Sequence, residues 1–512
     1  MRVKKSFLNA FSNSLILIIR AVLLFVVRIV FVKTLGKIYL GVDSLFTNIL
    51  LVLSIADSGI STAINFSLYK PLSDKDYTKV SVLMTFYKKV YKILGLIVIL
   101  IGLSMLPFLN IIVKENVSNI HFIFILYLST TAMTYFISYK DALLNADQNN
   151  YKVSFITGGT YIVMYLLRIL FLLILPNFIV FVLIQLIMLL IQRVMINRYI
   201  TKSYKNVDFN IDKKLSKKEQ KKIYKSVGSM FLNKIGNYLV TGTDNIIISA
   251  FPNLGIALVG IYANYYSITN MTDNIINRGL SGITASFGDL AVNESKEVQE
   301  NVFNIISFIS FFIYGLITIG FWFLLTPLIK ICFGNSFGLE GLTLLVICLN
   351  FYMIGNVKSL DVIKEATGNY VQDRYANIIQ AIINIILSII LGKILGLLGV
   401  ILATLISCIL VPLWNKPYIA YKYIFNKKPF NYYLKQLMYL IVLSIIAFIC
   451  YVIINSIAIN NALLSFAVTG IIIVVIYVLI ISLLFFKTNE YKYLFGIFKN
   501  MVNKVIKKKA NV

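Results

Sequence analysis

The chain has 512 residues, 59% of them hydrophobic and only 13% charged, yet its 48 Lys and Arg against 21 Asp and Glu give a net charge of +27. Soluble domains are about 45–50% apolar and about 25% charged, and disordered chains need low hydrophobicity, so both classes are excluded. A basic nucleic-acid binder carries its charge on a hydrophilic surface. Nucleic acid is therefore not an expected partner, and a polytopic membrane protein with basic edges remains.

The opening MRVKKSF and the apolar run behind it mimic a signal peptide. The run continues to about Val32 without a small-residue cleavage site, so it reads as the first spanning helix. A span needs about 20 mostly apolar residues. In chain order fourteen follow, near 13–33, 42–66, 91–112, 121–144, 153–175, 178–200, 227–250, 257–288, 302–330, 342–366, 376–396, 399–420, 436–457 and 463–486. Spans 2, 7, 8 and 10 are the least apolar. The expected fold class is all-α, with fourteen transmembrane helices in two six-helix lobes plus two extra C-terminal helices. The expected parts are an N-lobe at 1–200 (spans 1–6), a basic cytoplasmic linker at 201–226 and a C-lobe at 227–421 (spans 7–12). Spans 13 and 14 occupy 434–486, and a basic cytoplasmic tail occupies 487–512.

Fourteen spans put both termini on one side, and the basic residues say which. Lys33, Lys37, Lys114, Lys330 and Lys393 fall on one face, whereas nearly all other Lys and Arg outside the spans lie at the termini or in even-to-odd connections. Both termini are expected in the cytoplasm, with membrane lipids as partners of the basic rim. The linker carries Lys213, Lys214, Lys217, Lys218, Lys221 and Lys222 and reads as solvated and lipid-facing. No connection is large enough for a soluble active site, and there is no Walker motif. Cys332, Cys348, Cys408 and Cys450 form no CxxC pair and read as packing residues. His121 is the single histidine, so no histidine metal cluster is available. No catalytic residue, metal or cofactor is expected, and the chain does not read as an enzyme.

The chain repeats itself. KDALLNADQNNY at 140–151 and KEATGNYVQDRY at 364–375 match at Lys140/Lys364, Ala142/Ala366, Asn145/Asn369, Gln148/Gln372 and Tyr151/Tyr375. Upstream, Asn13 meets Asn233, Gly36 meets Gly255, Gly59 meets Gly279 and Pro107 meets Pro327. Spans 1–6 and 7–12 therefore read as two copies related by an axis along the membrane normal, the plan of transporters that rock one lobe against the other.

Charge at the bilayer centre is costly, so intramembrane charges usually face a cavity or a partner. Span 8 places Asn270, Asp273, Asn274, Asn277, Arg278 and Ser281 on one helical face. Span 2 offers Asp43, Thr47, Ser54, Asp57, Ser58, Ser61 and Asn65. Span 7 offers Asn233, Lys234, Asn237, Thr241, Asp244 and Asn245, and span 1 offers Asn13, Arg20 and Arg28. Because spans 1 and 2 are the repeat equivalents of 7 and 8, these faces are expected to line one aqueous cavity. Arg20, Arg28, Lys234 and Arg278 are its expected cationic binding groups, and Asn13, Asn233, Asn237, Asn274 and Asn277 its hydrogen-bonding ones. Asp57, Asp244 and Asp273 neutralise the cations, with proton or sodium coupling as the alternative. Polar bridging between helices is the competing explanation, and an equal one for Arg168, Lys358 and Asp361. A cationic cavity rich in amides and hydroxyls suits an anionic head bearing sugars, because arginine binds phosphate bidentately.

The stretch FLNAFSNSLILIIRAVLLFVVRIVFVKTLGKIYLGVDSLFTNILLVLSIADSGISTAI, the loop with Lys70, Pro71, Asp74 and Asp76, and LLNADQNNYKV after span 4 carry a resemblance. The chain resembles the multidrug/oligosaccharidyl-lipid/polysaccharide exporter superfamily and, within it, the polysaccharide flippases of the Wzx type. The resemblance implies translocation of an undecaprenyl-diphosphate-linked glycan across the bacterial plasma (inner) membrane, for O-antigen or capsule assembly. It also implies a polysaccharide polymerase and glycosyltransferases as partners. The related lipid II flippases have fourteen helices, a lipid-tail groove on the last pair, and functional arginines in helices 1, 2 and 8. Arg20, Arg28 and Arg278 fall in matching helices, whereas span 2 has no arginine and carries Asp57 and Ser58. That departure argues against a lipid II flippase. An H+- or Na+-coupled drug or metabolite antiporter is the alternative on the same fold.

Overall fold

The structure is a computed structural model that describes residues 2–54, 64, 67–147, 150–213, 215–251, 254–367, 375–457, 459, 461–496 and 499. Among the described residues there is helix and no strand. The first helix, α1 (Arg2–Leu53), runs through expected span 1 into span 2, with a break at Gly36, where φ is 83°. Left-handed backbone cannot continue an α-helix, and glycine alone adopts it without a Cβ penalty. Gly255, which the sequence repeat aligns with Gly36, also has a positive φ (70°).

The other helices of the first half are α2 (Tyr77–Met105), α3 (Ile120–Ser138), α4 (Asp141–Ala146), α5 (Asn150–Ile174), α6 (Phe178–Ser203) and α7 (Lys217–Ala250). Then come α8 (Gly255–Asn293), α9 (Lys296–Phe333), α10 (Gly341–Thr367), α11 (Ala376–Leu395), α12 (Leu397–Leu410), α13 (Pro412–Ile419), α14 (Phe430–Asn455) and α15 (Ala462–Phe485). Among the described residues, nine helical segments are long and apolar enough to cross a membrane: Tyr77–Ile112, Val153–Ile174, Phe178–Ser203, Lys296–Phe333, Gly341–Thr367, Ala376–Leu395, Leu397–Phe425, Phe430–Asn455 and Ala462–Phe485. They coincide with expected spans 3, 5, 6 and 9–14. Span 4 falls on a shorter apolar helix, Ile120–Phe136. Spans 1, 7 and 8 and the first part of span 2 fall on α1, α7 and α8, outside those nine. Large apolar side chains such as Leu100, Ile174, Phe448 and Leu463 point outward, at 67–72% exposure. Water does not tolerate such a surface, whereas lipid requires only that backbone polar groups be satisfied internally, as in helices. The chain is a multi-pass membrane protein.

The chain divides into two compact units, Met1–Ala263 and Asn264–Val512. In the first unit α1 packs along α5 and α7, α2 along α3, and α6 along α3 and α5. Where α1 meets the start of α8, side chains give way to backbone. A Cβ on Gly260 would lie 2.5 Å from the Lys37 carbonyl oxygen and 3.0 Å from the Gly41 nitrogen. Small residues permit such approach between membrane helices.

The connection 201–226 is more than a solvated tether. Lys213, Lys217, Lys218 and Lys221 are exposed as expected, but Val207 and Leu215 are buried. Ser216 and Glu219 form a capping box at the start of α7, and Glu219 also pairs with Lys79 of α2. The Asp208 amide donates to Ser81 Oγ at 2.9 Å, and Lys140 sits over the Phe209 ring at 4.3 Å. The hydrogen bonds from Lys79 and then Ser216 hold the Glu219 carboxyl down to about 2.

In the second unit α9 is central. Phe311 stacks on Tyr439 of α14 with ring centroids 3.9 Å apart. Tyr477 of α15 donates its hydroxyl to the Phe312 carbonyl at 3.0 Å. Expected spans 13 and 14 are thereby fastened to span 9.

Candidate functional site

The polar side chains of the first unit meet where α1 passes α5 and α6. The Arg20 guanidinium lies over the Tyr161 ring, 3.9 Å from its centroid, and within electrostatic reach of Tyr165. Tyr161 and Tyr165 are four residues apart and so share one face of α5. Stacking on a ring fixes the guanidinium plane and leaves its N–H edge for other acceptors. Arg28, two turns along α1, is half-buried and lies within electrostatic reach of Asp43. Asp43 in turn accepts a hydrogen bond from the hydroxyl of Tyr127 on α3. Arg168 of α5 is buried, stacked 3.7 Å from the Phe181 centroid. It donates through Nε to the Phe181 carbonyl at 3.1 Å and pairs with Gln185 of α6. It therefore ties α5 to α6. Arg28 and Arg168 face the single carboxylate of Asp43 and Arg20 lies among the tyrosines, so the described cluster is net cationic.

Asp244 and Asn245 of α7 are buried in the same unit. Asp57 lies outside the described residues. Asn13 is on α1 and Asn233, Lys234 and Asn237 are on α7, but their side chains also lie outside the described ones.

In the second unit the polar face of α8 is real and internally connected. Asn274 donates to Asn270 Oδ1 at 2.6 Å, and Asn270 donates to the Tyr266 hydroxyl at 3.1 Å. Asn277 donates to Asp273 Oδ2 at 3.1 Å, and Tyr314 of α9 donates to Asp273 Oδ1 at 2.7 Å. Lys358 of α10 completes the set, 3.7 Å from Asp273 Oδ2. Asp361, one turn further along α10, pairs with Lys416 of α13 at 2.6 Å. Asp273 is thus a hub tying α8, α9 and α10 together. Asn274 and Arg278, on the same helix, are exposed.

Sequence spacing finds Arg20, Arg28, Asp273, Asn274, Asn277 and Arg278 but misses Tyr127, Tyr161, Tyr165 and Tyr314. A signal was available. Tyrosine in membrane helices ordinarily anchors at the interface, and these four sit inside apolar runs.

Helices with outward-facing apolar surfaces, carrying an arginine–tyrosine cluster in one unit and a carboxylate hub in the other, define a helical membrane protein with charged groups set among its apolar segments. A family model described as polysaccharide biosynthesis protein matches residues 40–340, more than half of the chain, and the chain belongs to that family. Its fold is similar to that of lipid II flippase MurJ in an inward closed conformation, at 16% identity over 93% of this chain and 99% of that one, with a TM-score of 0.66. A multidrug resistance MATE family transporter of the MOP superfamily, inward-facing, matches at 16% identity over 79% of this chain and 98% of the other, TM-score 0.62. The Vibrio cholerae MATE transporter VcmN in its bent form matches at 14% identity over 82% and 96%, TM-score 0.51. At these identities the likeness is one of fold. No curated protein matches the chain.

Proposed function

We propose that this protein is a flippase that moves undecaprenyl-diphosphate-linked oligosaccharide repeat units from the cytoplasmic to the outer face of the plasma membrane. In this reading the 1–200 and 227–421 lobes alternate access, and the glycan is destined for a surface polysaccharide such as O-antigen or capsule. The observation that carries it is the net-cationic, tyrosine-backed arginine cluster of α1 in a chain of the polysaccharide biosynthesis family. Arg20 and Arg28 take the diphosphate, joined by Lys234 and Arg278. Asn13, Asn233, Asn237, Asn274 and Asn277 supply hydrogen bonds to sugar. Carrying two negative charges out of a cell at about 100 mV, negative inside, releases about 4–5 kcal/mol, enough to bias flipping without a coupled ion. The polymerase and glycosyltransferases of the same polysaccharide are the partners this reading implies.

The test is complementation in a strain lacking its own repeat-unit flippase. Arg20→Ala, Lys234→Ala and Arg278→Ala should each lower surface polysaccharide at normal protein level; full rescue by all three would refute the diphosphate assignment. One observation favours a second reading, H+- or Na+-coupled antiport. Asp273 is a half-buried carboxylate held by Tyr314, Asn277 and Lys358, and the MATE transporters share the fold. Protection of cells against toxic cations would favour it, and rescue of cells depleted of their lipid II flippase would favour a lipid II substrate.

A further inference from the structure

The second unit holds a cleft of about 670 Å³ between the first turns of α11, the α12–α13 junction and the start of α14. Local chemistry makes it. Pro412 lacks an amide hydrogen and disfavours helical geometry at the residue before it. Val411 accordingly stands at φ −118° and ψ −76°, and α12 stops. Pro417 follows within α13, and then a π-helical turn, Ala420–Phe425, ends at Asn426 with φ 57°. On this interrupted helix Trp414 and Tyr418 stand 54% and 46% exposed, lining the cleft with Tyr375 and Tyr433. The Tyr433 hydroxyl donates to the Trp414 carbonyl at 2.9 Å, and the two rings lie 4.8 Å apart. That wall is built before any ligand arrives.

Its rim is basic. Lys422 donates to the Tyr418 hydroxyl at 2.7 Å and sits 5.0 and 5.4 Å from the ring centroids of Tyr418 and Tyr423. A phenol and two π faces hold this ammonium in place without neutralising it. Lys428 is exposed and precedes Pro429, which lines the cleft. Their neighbours Lys416 and Lys427 are already engaged by Asp361 and Glu300.

We infer that this cleft binds one anionic phospholipid from the leaflet on the side of the basic connections. An acyl chain lies along the aromatic trough, and the phosphate meets Lys422 and Lys428. The cleft has the size and the apolar, aromatic lining of a small-molecule pocket. Its Trp and Tyr are the residues that favour headgroup depth, and two lysines at the rim match an acidic headgroup in charge. Leu410 and Ile379, also in the lining, are among the outward-facing apolar residues, so the trough continues into the lipid-facing surface. None of its residues belongs to the proposed diphosphate site, and the inference does not depend on the transport reading.

The chain has two tryptophans, so Trp322→Phe leaves Trp414 as the sole indole reporter. The full chain is reconstituted in vesicles containing the same fraction of either brominated phosphatidylglycerol or brominated phosphatidylcholine. Brominated phosphatidylglycerol should quench Trp414 more strongly, and Lys422→Gln and Lys428→Gln should each cut that preference about fivefold. Equal quenching by the two lipids in the Trp322→Phe protein overturns the inference, and this comparison needs no lysine variant to fold. A preference unchanged in the folded double variant also overturns it.

Discussion

Replacing Gly355 by alanine probes the packing that holds Asp273. Gly355 lies on α10 against the ring of Tyr314, and a Cβ built there falls within 2.5 Å of three ring carbons. Tyr314 is fully buried, and its ring sits 5.1 Å from that of Phe351, so it has no room to slide aside. Either α9 and α10 separate or the ring turns, and in both cases the Tyr314 hydroxyl leaves Asp273. Overpacking a core costs about 1–3 kcal/mol, and an interhelical hydrogen bond in a membrane protein is worth about 0.6–1.7 kcal/mol. The expected loss is about 2–5 kcal/mol. Tyr314→Phe separates the two parts. It keeps the ring and removes the hydroxyl, so alone it should cost only the hydrogen bond, and Gly355→Ala added to it should cost only the overpacking. Equilibrium unfolding in mixed detergent micelles reads these differences. A Gly355→Ala protein within about 0.5 kcal/mol of the parent, the range of ordinary surface substitutions, would refute the packing argument.

Gly41→Ala would drive a methyl group into the Ile256 carbonyl, whereas a Cβ on Gly279 meets nothing within 4 Å. Size-exclusion yield of folded protein should collapse for the first and hold for Gly279→Ala; equal yields would contradict the close backbone approach. Lys358→Met leaves Asp273 without its ammonium, so it should destabilise more than the Lys358→Met/Asp273→Asn double variant; thermal melts showing strictly additive losses would argue against the pair. Glu219 has a folded-state pKa of about 2, below the ordinary value of about 4.3. Its contribution is therefore complete above about pH 4.3 and is lost as pH falls toward 2. Hydrogen exchange at residues 216–219, corrected for intrinsic rates, should accelerate across that window in the parent and show no such step in Glu219→Gln. Unchanged protection in the parent would remove the Lys79–Glu219 pair as a fastening of the linker.

Hydropathy belongs to one segment at a time, so expected spans 3, 5, 6 and 9–14 are legible without any tertiary knowledge. Helical period likewise puts Asp273, Asn274, Asn277 and Arg278 on one face of α8, whereas the positive φ of Gly36 and Gly255 is seen only in the structure. The linker shows where that reasoning ends. Its lysines announce a solvated segment, yet Val207 and Leu215 are buried and Glu219 reaches Lys79, more than a hundred residues earlier. Period says which residues share a face and is silent about what that face meets. That Asp273 meets Lys358 and Tyr314, that Arg20 rests on Tyr161, and that Trp414 and Tyr433 build a wall are facts of helix adjacency. Adjacency is decided where small residues let backbones approach and where each polar group in an apolar medium must find a partner on whichever helix lies beside it. The sequence alone determined a basic, polytopic helical membrane protein and its polar faces; only the tertiary structure decided which of those charges are spent on holding helices together.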